Sequence, residues 1–172
     1  YHEIGMDHFA LKTDSLYQAM EKGSLHRNFM GYTASKTQLM IGLGVSSISD
    51  SWYSFAQNVK GLEEYQHLVA NNIIPIYRGH ILTDEDRVIR KHILNLMCRF
   101  ETVLNENEAA FFDMSLVLEK LKEMEHDQLI EIISNTISVT EKGRPFVRNV
   151  CMALDMHLYR KEPETRLFSM TV

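Results

Sequence analysis

The chain has 172 residues, of which 45% are hydrophobic and 24% charged, and its formal net charge is −5. This composition excludes a disordered tail and a collagen-like fibre. No apolar run approaches the ~18 residues that span a bilayer, and the acidic balance argues against nucleic acid as a partner. Cys98 and Cys151 sit among apolar neighbours. Two cysteines without further partners read as free buried thiols in a reducing, cytoplasmic setting. No signal peptide is expected, because no basic stretch followed by an apolar one opens the sequence. The first residue, Tyr1, already stands inside an alternating pattern, as expected of a piece cut from a longer protein.

In chain order, Ile4 to Ala10 alternate at the period of a strand. Thr13 or Asp14 caps a short helix from Ser15 to Lys22, which Gly23 stops. Arg27 to Thr33 reads as a polar and aromatic loop, held by its own hydrogen bonds or forming part of a site. Leu39 to Ile48 is apolar on both faces, the pattern of a buried parallel strand. At its end, Gly42 and Gly44 either let a ligand approach the backbone or allow close packing on a neighbouring strand. Gly61 to Asn71 is a helix with Leu62, Tyr65, Leu68 and Val69 on one face. Strands alternating with helices point to α/β structure, part of a larger sheet or barrel.

Composition changes near Arg78 to Thr83. Seven of the eight glycines lie in residues 1–80, which carry a net charge of −1, against −4 in 81–172. Thr83 opens a long helix with Asp84, Glu85 and Asp86 in its first turn. Ile89, Ile93, Leu96, Met97, Phe100 and Leu104 follow at helical spacing. Phe111, Phe112, Leu116 and Leu121 mark another helix, and Asp127 to Ile133 a shorter one. Ile137 and Val139 belong to a short strand, Thr140 to Gly143 to a turn, and Phe146 or Val147 through Leu158 to a last helix. The second part, 81–172, is thus mainly helical and winged-helix-like. Lys142, Arg144 and Arg148 beside the wing would suit phosphate contact, but the acidic balance favours a solvated helix start.

The eight histidines show no HxxxH or HExxH spacing, and neither cysteine has a partner at ligand spacing. No metal site is therefore expected. Each histidine reads as partly buried and hydrogen-bonded. No Ser-His-Asp set, phosphate-binding loop or paired-carboxylate signature stands out.

Four strings occur in a fixed order: Ile4-Gly-Met-Asp-His-Phe-Ala10; His26-Arg-Asn-Phe29 with Gly31-Tyr-Thr33; Gly42-Leu-Gly-Val-Ser-Ser-Ile-Ser49; and Gly143-Arg144 with Arg148-Asn-Val-Cys-Met152. Together they resemble the C-terminal portion of bacterial oxygen-independent coproporphyrinogen III oxidases, from Tyr1 to about Leu158. The strings Gly5 to Leu11 and Arg148 to Met152 separate this resemblance from the related haem-binding radical proteins. A haem-binding relative and a winged-helix-like binding module are the alternatives.

The resemblance implies a radical S-adenosylmethionine enzyme. Such enzymes hold a 4Fe-4S cluster on a CxxxCxxC motif in an incomplete α/β barrel. They convert two propionates of coproporphyrinogen III to vinyls, with loss of carbon dioxide, in haem biosynthesis. Cys98 and Cys151, 53 positions apart, are not that motif. The cluster ligands are therefore expected upstream, the piece is expected to be inactive alone, and no catalytic residue is assigned within it. Residues 1–80 are implied to be the last strands and helices of the barrel, and 81–172 the helical C-terminal domain. Implied partners are coproporphyrinogen III, the N-terminal barrel of the same chain and an electron-donor protein, with no nucleic acid and no membrane. The family position matching Ile48 touches a second S-adenosylmethionine. A Gln of the family faces the same site where this chain has Met30. Methionine lacks the amide donor and acceptor, which implies weaker or differently arranged binding there.

Overall fold

A computed structural model describes residues 1–108, 110, 111 and 113–160. Phe112 and the segment 161–172, assigned above to a helix and to the C-terminal domain, lie outside the described residues.

The chain opens with a hairpin, β1 (His2–Gly5) and β2 (His8–Ala10), paired His2 to Ala10 and Glu3 to Phe9. The single strand expected through Ala10 is therefore two. The backbone turns at Met6, whose φ is 54°, and a turn folds an alternating run back on itself. Helix α1 (Ser15–Glu21) follows, its N-terminus capped by Asp14, whose carboxylate accepts from the Leu16 N–H at 2.8 Å. The segment read as a loop forms a second hairpin, β3 (His26–Asn28) and β4 (Gly31–Thr33).

A four-stranded sheet comes next, in the order β5 (Leu39–Met40), β6 (Ile48–Ser51), β7 (Ser54–Asn58) and β8 (Ile76–Ile81), with α2 (Leu62–Ala70) between β7 and β8. Its pairings are antiparallel. This corrects the buried parallel strand expected over Leu39 to Ile48. Only its first two residues and its last are in strands, and Leu39, Ile41 and Leu43 are exposed. An apolar run signals burial only if something in the fold covers it.

Helix α3 (Asp84–Arg99) begins with a capping box. The Thr83 hydroxyl accepts from the Asp86 N–H, and the Asp86 carboxylate accepts from the Thr83 N–H. It ends at Phe100, in the left-handed region at φ 58°. Strand β9 (Glu101–Val103) leads through a short turn at Glu106–Glu108 to α4 (Met114–His126). Strands β10 (Ile130–Ile133) and β11 (Thr136–Val139) complete an antiparallel sheet in the order β10-β11-β9. The short helix expected over Asp127 to Ile133 is thus a turn and a strand. Gln128 takes a positive φ of 61°, and three isoleucines in four residues suit a pleated surface better than a helix. After a 3-10 turn (Arg144–Phe146) come α5 (Val147–Met152) and α6 (Met156–Arg160). The last helix is broken because the Asp155 carboxylate accepts from the His157 and Leu158 N–H groups and starts a new turn.

One core cluster joins both sides of residue 80: Ile4, Ala10, Ala19 and Leu25 pack with Leu96, Met97, Val117, Leu121, Ile137, Val150 and Leu154. Helix α3 is its spine, packed on β1, β3, β9 and α5. The sheet β5–β8 lies to one side, with every residue of β8 exposed. No described helix is long and apolar enough to cross a membrane.

Candidate functional site

A cleft of about 480 Å3 opens where β3, the β6–β7 hairpin, α3 and α5 meet. Helix α3 supplies Arg90, Ile93 and Met97, spaced three and seven residues apart, so they share one face. Arg90 is the one charge on this stripe. Its guanidinium donates to the Asp50 carboxylate at 2.8 Å and to the Ser51 carbonyl at 2.7 Å. It also stacks on Phe55, 4.9 Å from the ring centre. Asp50 is buried, 7% exposed, so the pair is largely out of water.

Two further arginines border the cleft. Arg27 lies 4.8 Å over the Tyr32 ring, and its Nη1 is buried without a hydrogen-bond partner among the described residues. Arg148, on α5, is exposed at the rim. The phenol of Tyr32 donates to the Met97 carbonyl at 2.9 Å, and burial pushes its pKa up to about 12. Burial likewise pushes the Cys98 and Cys151 thiols up, to about 11 and about 12. At neutral pH both are protonated, which suits packing and not metal ligation or nucleophilic attack.

Phe29 and Phe55 meet edge to face, 5.0 Å between centres. They form a wall between this cleft and a second recess of about 300 Å3, lined by Ile48, Ala56, Gln57, Arg78 and His80. Ile48 therefore stands in a recess beside the cleft. Met30 is next to Phe29 in sequence but is 84% exposed and lines neither hollow. Its N–H donates to the Asn28 side chain at 2.8 Å. The two sequence candidates thus do not share a cavity.

The glycine-bearing segment is a loop between β5 and β6. A Cβ on Gly42 would lie 2.8 Å from the backbone of Ile48, so close packing explains this glycine. The Asn58 amide donates to the carbonyls of Gly42 and Gly44 at 3.1 and 2.9 Å and fixes the loop.

The histidines divide. His92 is fully buried between the Thr102 hydroxyl at 2.8 Å and the Glu108 carboxylate at 3.1 Å. His26 is also buried, and that burial lowers its pKa, helped by the charges of Lys36 and Arg90. His92 is hydrogen-bonded as expected of each histidine, and His26 is buried. His80 and His157, by contrast, converge on Asp86, a grouping that spacing along the chain could not reveal. The Arg90–Asp50 pair was missed as well, although an arginine on an apolar helical stripe is a visible signal.

No protein-family model matches the chain. Over 94% of its length it is 39% identical to the oxygen-independent coproporphyrinogen III oxidase of Salmonella typhimurium, covering 36% of that protein. It is 34% identical to the protein of the same name from Synechocystis over 98% of this chain and 38% of the relative. Its fold is similar to the solved structure of coproporphyrinogen III oxidase (HemN) from Escherichia coli, described as a radical SAM enzyme. That match has a TM-score of 0.81 and 37% identity, and covers 90% of this chain and 37% of the other. The chain thus spans little more than a third of each of these three proteins, in their C-terminal part.

Proposed function

Because this chain is homologous in sequence and fold to the C-terminal part of the oxygen-independent coproporphyrinogen III oxidases, we propose that it performs that part's work in such an enzyme. The reaction is the radical oxidative decarboxylation of two propionates of coproporphyrinogen III to vinyls, giving protoporphyrinogen IX. The observation that carries this reading is the 39% identity sustained over 94% of the chain.

Within that enzyme, residues 1–80 adjoin the barrel and the described residues of the second part, 81–160, form a winged-helix-like module. Support for the module is the order α3, β9, α4, β10, β11, α5, with β11 central in its sheet. Support for the barrel contact is the apolar surface of Leu39, Ile41, Leu43, Ile74 and Ile81, which is exposed here and which a preceding part of the chain would cover. Buried free thiols fit a reducing cytoplasm.

The described residues do not fit an iron–sulfur cluster. Cys98 and Cys151 are buried and held protonated, so no step is assigned to one within this chain. The recess fits S-adenosylmethionine better: Ile48, Phe29 and Phe55 offer an apolar wall, and Arg78 a cation at its edge. When bound, that cofactor supplies the hydrogen-abstracting radical. This chain's residues hold the substrate and exclude water. In the cleft, Arg27 and Arg148, which line it, bind propionate carboxylates. Phe29 and Phe55 support the macrocycle, and Arg90 is a positioning residue that fixes Phe55. Water exclusion at such a wall protects a reactive intermediate. An electron-donor protein completes the system.

Fluorescence titration with coproporphyrin, a stable oxidised stand-in for the substrate, tests the cleft. Saturable binding is expected, weakened about 10-fold or more by Arg27→Met, the worth of a charge-assisted hydrogen bond, and weaker for the methyl ester that lacks carboxylates. Equal binding of acid and ester would overturn the arginine assignment.

A further inference from the structure

A second cluster lies outside the cleft, on the far side of the recess, with which it shares His80. Strand β8 brings His80, the first turn of α3 brings Asp86, and α6 brings His157. The Nε2 of His80 lies 3.0 Å from one oxygen of Asp86, and the Nε2 of His157 lies 2.6 Å from the other. One ligand atom from each residue lies within 4.8 Å of the other two. The rings stand nearly perpendicular, at 89°, with centres 6.1 Å apart, so both present their nitrogens to one carboxylate from different sides.

We propose that His80, Asp86 and His157 form a binding site for a divalent transition-metal ion, zinc(II) being the ion that the donor set suits. Two imidazoles and a carboxylate are a zinc ligand set, with bonds of roughly 2.0–2.2 Å that put neighbouring ligands about 3.3 Å apart. The two nitrogen–oxygen separations need to open by less than an ångström to admit the ion. Asp86 is the fixed ligand: it is buried, and the Thr83 N–H donates to it at 2.9 Å, an orienting bond of the kind that outer partners supply to metal ligands. The imidazoles are about half exposed, with side-chain exposures of 52% and 47%. The open side leaves room for water to complete a tetrahedron. The nearby arginines are already matched, Arg87 to Asp84 and Arg160 to Glu85, so the neighbourhood does not repel a cation. Imidazole donors select zinc, nickel or copper over magnesium and calcium.

The charge and proton balance is simple. The Nε2 proton that each ring now gives to Asp86 moves to Nδ1 or leaves to solvent, the ion takes the freed Nε2 lone pairs, and nothing is oxidised or reduced. The bound ion would tie β8 and α6 to the start of α3; it shares His80 with the recess assigned to S-adenosylmethionine, but its binding is read without any step of the oxidase reaction.

The test is calorimetric titration of the chelator-treated chain with zinc chloride alone, with cobalt(II) as a coloured probe. One ion per chain is expected, with a rise in melting temperature that excess magnesium does not reproduce. His80→Gln and His157→Gln should each weaken binding by at least about 10-fold, by comparison with the effect of losing a supporting partner, and abolish the thermal rise. His67→Gln, at an exposed histidine elsewhere, should change neither. Circular dichroism checks each fold; if His157→Gln unfolds, His80→Gln decides. No binding by the wild-type chain, or binding unchanged in the folded histidine variants, would overturn the proposal.

Discussion

Replacing Arg90 with methionine strands Asp50. The carboxylate is 7% exposed, and the guanidinium at 2.8 Å, itself only 15% exposed, is its ion-pair partner. Removing one member of a buried pair leaves an uncompensated charge, which costs roughly 3–5 kcal/mol. The opening of the cleft lets some water reach the stranded group, so the low end, about 3 kcal/mol, is expected for Arg90→Met. For a chain of this size, that is a fall in melting temperature of roughly 6–12 °C. Removing both charges, in Asp50→Leu with Arg90→Met, avoids the stranded ion and should cost much less than the two single changes added together. Urea denaturation of the wild type, both single variants and the double variant gives the cycle. A loss under about 1 kcal/mol for Arg90→Met would refute the burial argument, as would a double variant equal to the sum of the singles. The same variant loosens the stack on Phe55, so coproporphyrin binding should weaken even where the protein stays folded.

Gly143→Ala should destabilise by more than the ~1–3 kcal/mol usual for overpacking, because the added Cβ would lie 1.8 Å from the Leu129 carbonyl oxygen; thermal melting checks it, and an unchanged midpoint would contradict the close approach. The native chain should react slowly with a thiol reagent at about pH 8 and rapidly once unfolded, since burial holds Cys98 and Cys151 protonated there. Acid should weaken the fold through Asp86. Burial pushes its carboxyl up, but hydrogen bonds from the Thr83 N–H, His157, His80 and the Thr83 side chain outweigh this and hold it well below the usual carboxylate range. Its contribution is therefore complete above the ordinary aspartate pKa of about 4 and is lost as pH falls toward the folded-state value. Asp86→Asn should flatten that part of the stability profile, and an unaltered acid limb would count against it.

What the sequence revealed follows from which signals are local. The capping box at Thr83 and Asp86, the span of α2 and the period of α3 depend on neighbours within a turn or two, and each is found where the residues indicate. Leu39 to Ile48 misled because apolar character does not say what covers it; here the flank of the sheet is exposed. Asp127 to Ile133 misled because the left-handed residue Gln128 has no strong sequence mark. The strings around His26 to Thr33 and Arg148 to Met152 pointed to the oxidases that the chain is similar to, and in the structure they border one cleft. Ile48 and Met30 were singled out by resemblance; Ile48 lines the recess, and Met30 is exposed and lines neither hollow. The partnership of Asp50 with Arg90, and of Asp86 with His80 and His157, spans separations of 40 and up to 71 residues. Only the tertiary fold brings such groups together.

The most direct test is a chimera in which this chain replaces the matching C-terminal segment of the Escherichia coli oxidase. Assayed anaerobically with coproporphyrinogen III, S-adenosylmethionine and an electron donor, it should form protoporphyrinogen IX, and Arg27→Met should slow it. A folded chimera that carries its iron–sulfur cluster, binds S-adenosylmethionine and yet forms no product would contradict the assignment.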